Sequence, residues 1–334
     1  VGHLTLDKKG MAELLKSRAL RILVPFTLAW FVLRPLVVSG FIMGYTINQP
    51  AFSFWGCIVA GLDDLKNLPT GLWVGTHLWF LYYLALITAL VLVARQVLKL
   101  FPQAFSSLQR VADRAVSRMS TSHWALPVAV VILVPLLGQM DGWGVDTPDK
   151  SLVPHVPSLL LYGSFFVLGW LLHRQTECVS RFAQINWGKS TMALAGILVT
   201  LYLVRYQIDP GHPHHNLAHH VYNVSYAVMM WTMVWLTIGG FERCFSRANR
   251  FIRYVADSSY WMYLIHLPIV IWLQVATAEI EMYWLLKLTG ITVVTLGVCL
   301  LTYDLFVRST IIGQVLNGRR RPRGLFASPS KKAA

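Results

Sequence analysis

Apolar positions in this chain come in long blocks, not in alternation. Eight blocks stand out, at about residues 21–45, 78–94, 124–138, 156–172, 190–205, 221–240, 259–277 and 284–306. A helix needs roughly 20 apolar residues to cross a bilayer. The third block is the shortest and carries Pro127 and Pro135. The alternation of apolar and polar residues required by a membrane barrel is absent. Only helices and closed barrels satisfy their backbones in lipid, so the pattern predicts an all-α, polytopic helical membrane bundle of about eight transmembrane helices. No internal repeat and no soluble domain interrupts it. Composition agrees: 55% of residues are hydrophobic, 13% are charged, and the mean hydropathy is +0.53. Soluble domains carry about 25% charged residues.

The net charge of +14 would fit a nucleic-acid partner if it were clustered on one face. It is not. With the spans taken alternately, 24 of the 29 Lys and Arg fall on one side of the membrane. Asp63, Asp64, Asp141, Asp146, Asp149, Asp209, Glu279 and Glu281 fall on the other. This is the positive-inside pattern. It places both termini in the cytoplasm, excludes a nucleic-acid role, and makes residues 318–334, with Arg319-Arg320-Arg321-Pro322-Arg323, a basic cytoplasmic tail against anionic lipid. In the connection 95–123, Arg110, Arg114 and Arg118 recur every four residues and share a helical face. That segment reads as an amphipathic helix on the inner leaflet. The four cysteines have no metal-binding spacing and are divided among compartments, so neither a metal centre nor a disulfide is expected.

The candidate chemistry lies in the polar groups inside or beside the apolar blocks. Ser259, Tyr263, His266, Val270 and Gln274 form one helical stripe, and an imidazole within hydrocarbon needs a partner or a task. Pro268 has no amide hydrogen, so the carbonyl of Leu264 loses its intrahelical donor. His77 opens His77-Leu78-Trp79-Phe80-Leu81 at the outer end of the second span; it is either a solvated interfacial group or a base on the acceptor side. Arg34 stands roughly 20 Å along the first span from Arg21, beside Pro35, either partnered or facing substrate. Arg18 and Arg21, three residues apart, can grip phosphate together. The first outer connection holds Phe52, Phe54, Trp55, Asp63, Asp64 and Trp73, and the second holds Met140, Asp141, Trp143, Asp146 and Asp149. Carboxylates beside tryptophans suit a carbohydrate, or else an interfacial aromatic belt with solvated acids. His215 and His219, four apart in a histidine-rich loop, could chelate a metal, although no carboxylate or thiol accompanies them. Asp304 and Arg308 read as a structural ion pair.

Several of these motifs, taken together, resemble the acyltransferase-3 family of bacterial membrane O-acyltransferases. They are Arg18-x-x-Arg21-Ile22 followed by Pro25, His77-Leu-Trp-Phe-Leu, and Ser259-Tyr260-Trp261 leading to Tyr263-Leu264-Ile265-His266-Leu267-Pro268. Tyr82-Tyr83, Phe165-Phe166-Val167-Leu168-Gly169-Trp170 and the ending from Val307-Arg308-Ser309-Thr310 to Leu316-Asn317-Gly318-Arg319 resemble the branch that succinylates osmoregulated periplasmic glucans. The resemblance spans the whole chain. It implies an enzyme of the bacterial inner membrane that carries an acyl group, succinyl in this branch, from cytoplasmic acyl-CoA to hydroxyls of a periplasmic glucan. Acyl-CoA is then a donor substrate, not a bound cofactor. The implied partners are membrane lipids, the glucan acceptor and the glucan-synthesis machinery. The resemblance also implies Arg18 and Arg21 at the CoA phosphates. Joined to the residue reading, it gives His266, His77 and Tyr263 as catalytic candidates and Arg34, Asp63, Asp64 and Trp79 as substrate-binding candidates. The family has ten helices and a histidine in the first; this sequence begins just before the arginine pair, as a chain lacking the first two helices would. Two other readings follow from the same residues: O-acetylation of another surface polysaccharide, and a proton-coupled transporter with His266 and Arg34 as relay groups.

Overall fold

The computed structural model describes residues 13–66, 76–148, 152–182, 184–209, 211–245, 247 and 249–323. Trp73, Asp149 and the tail past Arg323, all named above, lie outside them. Every regular element among the described residues is helical. Seven helices are long and apolar enough to cross a membrane: α1 (Glu13–Thr46), α3 (Trp79–Lys99), α6 (Val156–Arg174), α8 (Trp187–Ile208), α9 (His215–Phe245), α10 (Arg250–Ala276) and α11 (Trp284–Val307). The remaining helices are α2 (Phe54–Asp63), α4 (Pro102–Thr121), α5 (Ala125–Leu137), α7 (Thr176–Phe182) and α12 (Ile311–Asn317). The chain is a polytopic helical membrane protein.

The third expected span is α5. With 13 residues it is about 20 Å long, short of the roughly 30 Å hydrocarbon core. It follows the amphipathic α4 after a bend of 115°, so the two together form a broken span or a re-entrant loop. The structure also adds α2, a helix inside the first outer connection, where the apolar pattern predicts no element. Ser53 caps it by accepting the amide of Gly56 at 3.1 Å.

Cα packing divides the chain into two compact units. One comprises Leu86–Pro148 and Val153–Arg247. Its core sets Leu126, Ala129, Leu133 and Leu137 of α5, at steps of three and four, with Leu161, Ala227, Trp231 and Trp235. Helices α8 and α9 pack closely where Gly196 meets the backbone of Met229, and Thr200 and Ser225 share a 3.0 Å hydroxyl bond one turn away. Small and hydroxyl residues at a contact are how helices associate in lipid. A cavity of about 590 Å³ in this unit is lined by α3–α6 and Trp231 and is almost wholly aliphatic.

The second unit joins the chain up to Ala85 to the segment after Arg247. Ile22, Phe26, Trp30 and Leu33 form the inward stripe of α1, packed with Leu78, Leu81, Leu264, Tyr303, Val307 and Leu316. Helices α1 and α10 are also tied by the Trp272 indole N–H, which donates to the Leu36 carbonyl at 2.8 Å. Helix α2 turns back along α1, and Gly61 makes this approach possible. A Cβ at Gly61 would lie 2.5 Å from the Pro35 carbonyl oxygen and 2.9 Å from Ser39 Cβ.

Overpacking a close contact costs about 1–3 kcal/mol, whereas a Cβ at Gly169 would meet no atom within 4 Å. Gly61→Ala should therefore lower the thermal midpoint of the detergent-solubilised protein, and Gly169→Ala should leave it unchanged or slightly raised. Equal effects from the two substitutions would contradict the α1–α2 contact.

Candidate active site

The catalytic, CoA-binding and substrate-binding candidates named with the family resemblance all belong to the second unit. Pro268 lies inside α10 and gives no amide hydrogen to the Leu264 carbonyl. His77 takes that place: its Nε2 lies 2.8 Å from the Leu264 oxygen. A carbonyl only accepts, so Nε2 carries the proton and the lone pair of the neutral ring falls on Nδ1. Residue 77 sits in a single 3₁₀ turn, Thr76–Leu78, that leads into α3. The Tyr263 hydroxyl holds this turn by donating to the His77 carbonyl at 2.6 Å.

His266 is fixed by its own helix. Its Nδ1 lies 2.8 Å from the Tyr263 carbonyl and 3.2 Å from that of Met262. Nδ1 is therefore the protonated nitrogen, and Nε2 carries the lone pair. The His77 and His266 ring centroids are 5.3 Å apart and the planes are nearly perpendicular. The sequence puts His77 at the outer end of the second span, either in solvent or as a base on the acceptor side, and His266 within a later span; the structure brings them to one point. Both rings are half-buried. In each ring one nitrogen is held by a backbone carbonyl, which fixes the orientation of the imidazole. Tyr263 is a positioning residue here, because its hydroxyl proton is given to a carbonyl.

The polar stripe on α10 is shorter than its spacing implies. Ser259 and Gln274 are exposed at its two ends, and Tyr263 and His266 alone meet His77. Arg34 is 7% exposed. Its Nε donates to Asp64 Oδ2 at 2.8 Å, and its guanidinium lies 5.0 Å from the Trp30 ring centroid. The return of α2 along α1 carries Asp64 down to this level. Arg34 Nη1 is buried with no hydrogen-bond partner among the described residues. The neighbouring acid behaves differently: Asp63 pairs with Lys66 at 2.6 Å in an exposed position. Trp79 is half-buried, edge-on to Phe80 and Tyr83.

Arg18 and Arg21 flank the start of a π-helical turn, Ala19–Leu23, a deformation frequent at functional sites. The Tyr260 hydroxyl holds this turn through the Arg21 carbonyl.

In the other unit, the imidazole of His219 is already committed. Its Nδ1 lies 2.9 Å from Gln207 Oε1, and its Nε2 accepts from Asn223 at 3.1 Å. That accounts for His219 as part of a polar network and leaves no lone pair for a metal. One cluster escaped the sequence reading: ligand atoms of Asp141, Asp146 and His155 lie within 4.8 Å of one another. Within it the Asp146 carboxylate accepts the amides of Asp141 and Gly142 at 2.6 and 2.8 Å, and His155 Nδ1 lies 2.8 Å from the Ser158 hydroxyl.

Burial pushes the His77 imidazole below its ordinary value. The Leu264 carbonyl opposes this shift and nearby His266 adds to it. The unfolded chain therefore takes up this proton at a higher pH than the folded one. Stability from this group is complete above about pH 6.5 and is lost as the pH falls through the folded value. The thermal midpoint should drop between pH 7.5 and pH 5, and His77→Gln should shrink that drop. An equal drop in the variant would show that His77 does not carry it.

Residues 2–304 match the family model described as an acyltransferase domain, that of the acyltransferase-3 family. No curated protein and no solved structure matches the chain significantly. The family match covers most of the chain, including the arginine pair, the His77 turn and the His266 helix, and on that ground the chain belongs to the acyltransferase-3 family of membrane acyltransferases.

Proposed function

We propose that this membrane acyltransferase moves a succinyl group from succinyl-CoA to hydroxyls of a periplasmic glucan in the bacterial inner membrane. The observation that carries the chemistry is the pair of imidazoles 5.3 Å apart, each oriented by a backbone carbonyl. His266 Nε2 takes the proton of an acceptor hydroxyl as its oxygen attacks the thioester carbonyl. The tetrahedral oxyanion then collapses, the carbon–sulfur bond breaks, and the CoA thiolate recovers the proton from His266. Ester and CoA thiol are the products. His77, whose basicity burial lowers, packs edge-on beside His266 and positions it. General-base catalysis of this kind contributes about 10²–10⁴-fold.

Two features support the donor. Arg18 and Arg21 stand at the Lys/Arg-rich end of α1, where the phosphates of a cytoplasmic CoA would enter. Arg34 has a buried guanidinium nitrogen without a partner, and an unsatisfied buried donor is costly. The distal carboxylate of a succinyl group would satisfy it. On the acceptor side, exposed Asp63 offers a hydrogen-bond acceptor to sugar hydroxyls and Trp79 a ring face near His77, while Asp64 acts through Arg34. Membrane lipids surround the protein, and the machinery that makes the glucan is its natural neighbour.

The test is a mass spectrum of periplasmic glucans from cells lacking the gene, complemented with wild type or with His266→Ala. Succinyl increments should vanish on deletion and return with wild type only. Glucans unchanged by deletion would remove this acceptor and direct the search to surface polysaccharides. Near-normal succinylation by His266→Ala would overturn the role of His266.

A further inference from the structure

The Lys/Arg-rich end of the second unit holds more guanidinium groups than its acids can match. Thr310 caps α12 by accepting the Ile312 amide at 3.2 Å. The helix stops at Gly318, which is left-handed with φ +76°. A Cβ on Gly318 would collide with the Arg21 guanidinium, so only glycine allows both the turn and the arginine lying against it. The chain past Gly318 is then strapped down. Asn317 donates to the Asp257 carbonyl at 2.9 Å and to the Tyr303 hydroxyl at 3.2 Å. The Arg321 amide donates to the Arg308 carbonyl at 2.9 Å, and Arg308 Nε donates to the Pro322 carbonyl at 2.7 Å. Arg321 forms an ion pair with Asp257 at 3.0 Å.

This strap places Arg319, Arg320 and Arg323, all exposed, within a few residues of the point where Arg21 meets the backbone. Two aspartates oppose this group: Asp257, and Asp304, which lies 4.0 Å from Arg308. Arg308 Nη1 and Arg321 Nη2 are buried without a hydrogen-bond partner among the described residues. Crowded like charges and unsatisfied buried donors both carry a free-energy cost. An anion with several phosphates relieves both, because guanidinium forks pair with phosphate oxygens.

We propose that residues 318–323 and Arg308 complete, together with Arg18 and Arg21, a binding site for the phosphates of the acyl-CoA donor. This rests on the donor reading above. Inner-leaflet headgroups offer the same phosphate chemistry, but one group at a time. CoA brings a pyrophosphate and a separate ribose phosphate on one ligand, which matches arginines placed on both sides of Gly318.

The test titrates CoA into the full chain held in phosphatidylcholine nanodiscs, as wild type, as Arg319→Gln/Arg323→Gln, and as Arg321→Gln. Arg319 and Arg323 are exposed, so the double variant should fold normally, as a thermal melt will verify. It should bind CoA about tenfold more weakly, the loss expected from charge-assisted hydrogen bonds. Arg321→Gln should weaken CoA binding as well. Wild type should discriminate CoA from dephospho-CoA more strongly than the double variant does. CoA affinity equal in wild type and both variants overturns the proposal. The same result, with the variants retaining less phosphatidylglycerol than wild type in nanodiscs that include this lipid, assigns the arginines to lipid headgroups and overturns it too. Wild type that binds no CoA overturns the donor reading, and this proposal with it.

Discussion

The site depends on one missing hydrogen. Proline at 268 cannot donate to the Leu264 carbonyl, and in hydrocarbon an unpaired carbonyl costs several kcal/mol. His77 supplies the donor through Nε2. That bond joins the start of α3 to the middle of α10 and settles which nitrogen of His77 holds the proton. It also sets the ring beside His266. Tyr263 closes the loop in the opposite direction, its hydroxyl donating to the His77 carbonyl. Two bonds between adjacent positions on α10 and a single residue of the 3₁₀ turn leave the imidazole little freedom to rotate. This is the preorganisation that a general base requires.

The fold was largely legible in the sequence because lipid imposes a simple rule. Apolar blocks of about 20 residues must be helices, and seven of the eight blocks are single spanning helices. The eighth, α5, is short because its 13 residues cannot cross the core unaided. The free Leu264 carbonyl was equally legible from Pro268. Its partner was not, since His77 lies 187 residues away and nothing in either segment encodes the pairing. Helix α2 escaped for a different reason. A mostly apolar and aromatic segment of ten residues looks the same in a short helix as in an interfacial belt, and Ser53 is a weak signal by itself. Missing α2 meant missing the partner of Arg34, because only the return of that helix carries Asp64 into reach.

Charge is rationed by depth in this molecule. At the Lys/Arg-rich end, arginines outnumber acids and are arranged by a π-helical turn, a left-handed glycine and a folded-back strap. Deeper in the same unit a single arginine persists, and it is paired, stacked on Trp30 and left with one nitrogen unsatisfied. Breaking such a buried pair from one side costs about 3–5 kcal/mol, so Asp64 and Arg34 stand or fall together. The proposed transfer of a succinyl group would use this graded placement of positive charge. A passive anchor would not.

The orientation of the His77 ring is the most direct point of attack on this account. Nitrogen-15 NMR of histidine-labelled protein in lipid at pH 7 reports which ring nitrogen is protonated. The account predicts that His77 is neutral, protonated at Nε2 and bare at Nδ1, and that Pro268→Ala removes the hydrogen-bond shift at Nε2 by returning an amide to Leu264. A His77 ring protonated at Nδ1, or one indifferent to Pro268→Ala, would contradict it.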